Sequence, residues 1–137
     1  MSWDVSLCRF SRRYESITDI PQDERLLVMG SLLDVQAAVS AVFPGTDWSD
    51  PSWGIYECQF GSIEFSVGRN DPVDGLMLHV RAGAPIVGGI LQLCQRLSCQ
   101  AIDCGDGSFL DRAADPAAGL EKWQAYRDQV VGKADPH

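Results

Sequence analysis

The sequence predicts an α+β fold: an antiparallel sheet of about five strands with helices packed mainly on one of its faces. Three observations carry that prediction. The stretch from Trp53 to Arg81 alternates with period two: Ile63, Phe65 and Val67 against Glu64 and Ser66, then Leu76, Leu78 and Val80 against Met77, His79 and Arg81. Such alternation marks strands with one buried and one wetter face. Apolar stripes at helical spacing lie on both sides of this meander, and corners rich in Gly and Pro separate the segments.

Along the chain, Trp3, Val5 and Leu7 alternate with Asp4, Ser6 and Cys8, which reads as a first strand over residues 2–10. Residues 11–30 hold Arg12, Arg13, Glu15, Pro21, Asp23 and Glu24 and show no regular period. A structureless loop of that length is uncommon inside a domain, so the stretch reads as an extended arm pinned by Ile17, Ile20, Leu26 and Leu27. Ser31 supplies an N-cap and Asp34 a first-turn acid for a helix over 32–43. Its stripe is Val35, Ala38, Val39 and Val42, and Pro44-Gly45 stops it. Residues 46–53 read as a polar loop carrying Trp48 and Trp53.

The meander follows, with corners at Gly61-Ser62 and at Gly68 to Pro72. Pro85 suits the first position of a second helix, where a missing N–H costs nothing. Ile86, Ile90, Leu93, Cys94 and Leu97 form its stripe. Gly88 and Gly89 weaken it by about 1 kcal/mol each relative to Ala, which close packing against the sheet accounts for. Residues 100–104 read as a further strand ended by Gly105-Asp106-Gly107, with Phe109 and Leu110 pairing briefly beside it. Asp115-Pro116 opens a third helix through Leu120, Trp123, Tyr126 and Val130, closed by Gly132. The order is β-α-β-β-β-α-β-α, a split βαβ plan with one strand added, in a single domain of residues 1–132 with 133–137 as a frayed tail.

A chain of 137 residues suffices for one core, burying roughly two-thirds of the surface its unfolded form exposes. Nineteen acids stand against 11 Lys and Arg, a net charge of −8. That field repels phosphate backbones, which argues against nucleic acid as a partner, and it speeds encounter with a basic protein. Acidity of this size also serves solubility alone. The N-terminal stretch lacks the basic and apolar regions of a secretory signal, and no window approaches the ~20 apolar residues that span a bilayer. Five cysteines without a C-x-x-C pair read as reduced thiols, so the expected location is the cytoplasm, with no membrane.

No cofactor or metal is expected. Cys94, Cys99 and Cys104 run from a helix into a strand and do not converge on one ion, and Asp103, Asp106 and Asp111 lack the length and terminal Glu of a calcium loop. Cys104, before a Gly-rich turn, is the most plausible nucleophile among the thiols, but a working thiolate needs a nearby base or helix N-terminus. Core and sheet packing is the plainer role for Cys8, Cys58 and Cys94. His79 shares the polar register with Arg81, and Glu64 falls in the same layer of the adjacent strand. A Glu–His pair there can do acid–base work, or it can be an ordinary solvated cross-strand pair.

The most suggestive surface sets Trp48 and Trp53 among Asp47, Asp50, Glu57, Glu64, Asp71 and Asp74. Aromatic anchors ringed by charge suit the centre of a protein interface. The plain alternative is that both tryptophans turn inward while the acids solvate the loops. A second reading is a ligand-binding or enzymatic face formed by Tyr56, Glu64, Met77, His79 and Arg81. A third is a homodimer burying that same face, for which Met77 in the polar register is suited.

The run Phe43-Pro44-Gly45-Thr46-Asp47-Trp48-Ser49-Asp50-Pro51, with Gly61-Ser62-Ile63-Glu64-Phe65 and Leu78-His79-Val80-Arg81, resembles a group of small uncharacterised bacterial cytosolic proteins. In size, acidity and strand–helix order the chain is also similar to the immunity proteins that neutralise polymorphic or contact-dependent toxins. That resemblance implies a cytosolic binding protein, not an enzyme, which occludes the active site of a cognate toxin. It carries over no residue role.

Overall fold

The computed structural model describes residues 2–134, with side chains through residue 129. Among these residues the fold is α+β, with six strands and three helices. In order they are β1 (Trp3–Cys8), α1 (Leu32–Val42), β2 (Asp47–Asp50), β3 (Trp53–Cys58), β4 (Gly61–Ser66), β5 (Leu76–Ala82), α2 (Val87–Leu97), β6 (Gln100–Asp103) and α3 (Ala118–Ala134). The sheet order is β2-β3-β4-β5-β1-β6, and every neighbouring pair is antiparallel. Because β5 and β6 both run opposite to β1, β5, α2 and β6 make a split βαβ unit with β1 between its strands.

The sheet has six strands rather than five because residues 47–50 pair with β3. Their composition reads as a loop for a physical reason. Asp47 Oδ1 accepts from the amide and hydroxyl of Ser49, and Asp50 Oδ1 does the same for Ser52, which is turn chemistry. The strand is short, charged and irregular in register between Asp47 and Asp50, all of which blunt a sheet edge against further pairing.

One face of the sheet builds the core. Val5, Leu7, Ile63, Phe65, Leu78 and Val80 are fully buried. Over them lie Val35 and Val39 of α1, Ile90 and Leu93 of α2, and Leu120 of α3, all equally inaccessible. Helices therefore cover a single side, and the alternation of β1, β4 and β5 dictates which side it is. Ser31 caps α1 by accepting from the Asp34 amide at 3.1 Å.

Several local expectations change. The arm of residues 11–30 is not pinned by Ile17, Leu26 and Leu27, which stay at least 42% exposed; Tyr14 and Met29 are its buried anchors. Arg9 holds it: the guanidinium donates to the carbonyls of Val28, Met29 and Leu97, and Leu27 donates back to Arg9. A single Arg fork thus ties an irregular segment to a helix end and a strand end, which no periodicity reveals. The first meander corner is at residues 59–60, since Gly61 already pairs with Ala82. Gly89 makes room for the Phe43 ring at the end of α1, and not for the sheet. The third helix runs past Gly132 to Ala134; residues 135–137 of the expected tail lie outside the described residues.

Candidate functional site

The face opposite the helices forms ordered rows across the strands. One row is Asp47, Ile55, Glu64, His79 and Asp4; the next is Glu57, Ser62 and Arg81; the third is Trp53, Ser66, Met77, Ser6 and Ile102. Directly opposed residues share a face, so the register alone brings these side chains together. Ile55, Glu57 and Arg81 are exposed on this face, and α3 reaches its Asp4 edge, where Asp4 shares a cleft with Lys122, Trp123 and Tyr126. The corner at Cys8 and Gln100 is closed by the arm: Gln100 accepts from the Tyr14 amide and donates to its carbonyl.

The centre of this face is His79. Its Nδ1 lies 2.9 Å from Asp4 Oδ1, and its ring stacks on Trp53 with centroids 5.4 Å apart. Asp4 also accepts from the Ser2 hydroxyl. Partial burial opposes ionisation of Asp4, but the hydrogen bonds from Ser2 and His79 and the charge of Arg81 outweigh it and hold its carboxyl below the usual range. Glu64, the expected partner of His79, instead reaches Arg81 at 3.3 Å. The acid–histidine pair exists, then, with Asp4 as its acid. Asp4 shows in the sequence as a polar-register residue, but only the strand order places β1 beside β5.

The two tryptophans separate. Trp53 lies on the open face over His79. Trp48 turns to the helix side, its indole N–H donating to Ser40 of α1 at 3.0 Å and its ring lying on Gly54. A Cβ at Gly54 would stand 2.7 Å from that ring, so glycine is required by the close approach. Tyr56 also leaves the proposed ligand face: it pairs with Ile63 on the core side and meets Phe43 edge-on at 5.1 Å. Asp47 and Glu57 remain exposed beside Trp53 and Ile55, while Asp71 accepts from the Leu32 amide at the start of α1 and Asp74 stays exposed in the same connection. The open face gathers Glu64, Met77, His79 and Arg81 on a platform; clefts of about 520 and 460 Å³ are lined by other residues.

The larger of those clefts was not legible from motifs. It opens where β1 begins and β6 ends, against α3, and its walls include Trp3, Asp103, Cys104, Lys122, Trp123 and Tyr126. Asp103 is buried in the register of Ala101, a charged residue in an apolar column, and that misplacement is the one sequence signal for it. Cys104 is exposed, but desolvation and the charges of Asp4 and Asp103 push its thiol up, the reverse of what a nucleophile needs. Cys94 is likewise pushed up, by the Cys99 side chain and by burial. Among the described residues no three or more His, Cys, Asp or Glu side chains stand close enough to hold a metal ion. No helix among them is long and apolar enough to cross a membrane. Compared with protein-family models, curated proteins and solved structures, the chain matches none.

Proposed function

We propose that this chain is a cytoplasmic binding protein whose uncovered sheet face docks on a basic protein, in the way an immunity protein occludes the active site of its cognate bacterial toxin. The observation that carries this reading is the row structure of that face. Trp53, Ile55 and Met77 supply apolar contact area at its centre, and Asp4, Asp47, Glu57 and Glu64 surround them with only Arg81 as an opposing full charge among the paired strand residues there. A stacked aromatic anchor inside an acidic rim recognises a basic surface by shape and steers its approach by charge. The net charge of −8 acts in the same direction at longer range.

The test is a pull-down of the purified chain against the product of the neighbouring gene and against a panel of basic nucleases. Complex formation is expected, weakened at least about tenfold by Trp53→Ala and slowed in association by Glu57→Lys. If nothing basic binds, or if binding is indifferent to both substitutions, the reading fails. Light scattering separates the remaining case, in which the same face closes on a second copy of the chain.

A further inference from the structure

The C-terminal end of α2 sets two free thiols side by side, Cys94 and Cys99. The helix stops at Ser98, which takes the left-handed conformation with φ 51° and ψ 47°. The Cys99 amide donates back to the Cys94 carbonyl at 3.0 Å, and the Ser98 amide donates to that of Gln95 at 3.3 Å. Together these bonds make a Schellman turn, in which the side chains at the positions of Cys94 and Cys99 meet. A backbone hydrogen bond between two residues also holds their Cα atoms within the roughly 4.4–6.8 Å that a disulfide spans. The pairing is thus a property of one local turn.

The two side chains do meet: the Cys94 thiol is hydrogen-bonded to Cys99, and that bond, with burial, keeps the proton on Cys94. Both residues line a cleft of about 280 Å³ whose rim carries Arg13 and Asp111. They expose 4% and 2% of their surface, so a molecule as small as hydrogen peroxide suits the approach and a protein oxidant does not. The charge of Arg13 favours a negative sulfur there, against the effect of Asp111. Cys104 has the same spacing from Cys99 as Cys94 does, but β6 stretches between them and carries it away.

We infer that Cys94 and Cys99 form a modification site at which hydrogen peroxide converts the two thiols reversibly into a disulfide. Because Cys94 keeps its proton, Cys99 reacts first. Its sulfur gives up a proton and attacks one peroxide oxygen; the O–O bond breaks, the released hydroxide takes that proton as water, and Cys99 is left as a sulfenic acid. Cys94 thereby loses the partner that held its proton. Its sulfur attacks the Cys99 sulfur, the S–O bond breaks, and the departing hydroxide takes the Cys94 proton as a second water. The sulfurs give up two electrons in all, and one peroxide is reduced to two waters. The ring so closed contains Leu97, whose carbonyl holds the Arg9 guanidinium, so the modification lies at the joint between α2 and the arm.

The test treats the reduced full chain with hydrogen peroxide, blocks remaining thiols with N-ethylmaleimide in urea, and maps disulfides by tryptic mass spectrometry. Cleavage after Arg96 separates the two cysteines, so their bridge joins peptides 82–96 and 97–112, and fragmentation tells Cys99 from Cys104. The expected product is the Cys94–Cys99 bridge, reversed by dithiothreitol and absent from Cys99→Ser. It should exceed the Cys99–Cys104 bridge at least about tenfold in the folded chain. In urea the two should form about equally, because rings of equal length cost the same to close once the turn is gone. A folded chain with the same even mixture, a bridge from Cys99 to Cys8, or Cys94 and Cys99 still thiols after exposed Cys104 has been oxidised, overturns the inference.

Discussion

Trp48 and Trp53 sit five residues apart in one hairpin and have opposite fates. Trp48 is held by a hydrogen bond to α1 and by a glycine that clears its ring; Trp53 lies on the other face, over a histidine, with no helix above it. The same contrast runs through the whole sheet. On one side Ile63, Phe65, Leu78 and Val80 are completely buried; on the other Glu64, Met77, His79 and Arg81 occupy the intervening positions of the same strands. An alternating strand makes two surfaces at once, and the covering layer decides which of them is structural. With the buried residues of α1, α2 and α3 all on one side, packing fixes the side chains of that face and leaves those of the other less constrained.

The strongest way to break this contrast is to delete equivalent bulk from each face. Phe65→Ala removes a fully buried ring that packs on Phe43 at 5.3 Å between centroids. It is expected to cost about 3–5 kcal/mol, much of the stability of a domain this size. Met77→Ala, one strand away on the open face, is expected to cost about 1 kcal/mol or less. Urea midpoints for the two variants check the difference directly, and equal losses would mean that something covers the platform.

A finer version compares the tryptophans. Trp48→Ala is expected to cost about 3 kcal/mol, since it opens a hole beside Gly54 and leaves the Ser40 hydroxyl without its donor. Trp53→Ala loses the stack on His79 and is expected to cost about 1 kcal/mol. Thermal unfolding of both variants ranks them. A reversal would shift the structural role to Trp53 and take the anchor away from the binding reading.

The sequence told the two faces apart wherever a strand alternates strictly, as in β1, β4 and β5. Period two is a local property, and Asp4, Glu64 and His79 could be placed in a wet register without knowing their neighbours. It failed where the answer depends on which strands touch. Asp4 and His79 are separated by most of the chain, and their pairing exists only because β1 inserts between β5 and β6. β2 was hidden by its own aspartates and serines, whose side chains bond the backbone as they do in turns. The Arg9 clamp and the Trp3–Asp103–Trp123 cleft draw on residues from distant elements with no shared spacing, so no periodicity announces them.

The smallest expected effect is also the most specific to the open face. The carboxyl of Asp4 is held below its ordinary value by Ser2, His79 and Arg81 against the opposing effect of partial burial, so the folded state binds a proton there less readily than the unfolded chain does. A group depressed in this way contributes stability that is fully present above the unfolded carboxylate value and is lost as pH falls through the lower, folded one. The window is therefore acidic, below about pH 4. Asp4→Asn should lower the unfolding midpoint modestly at pH 7, and the gap to the parent should close as pH falls from 4 toward 2, because the parent then loses the same interaction. A gap that stays constant across that range would show that Asp4 contributes through packing or its backbone rather than through charge, and would detach His79 from the acid–histidine pair on which the platform is centred.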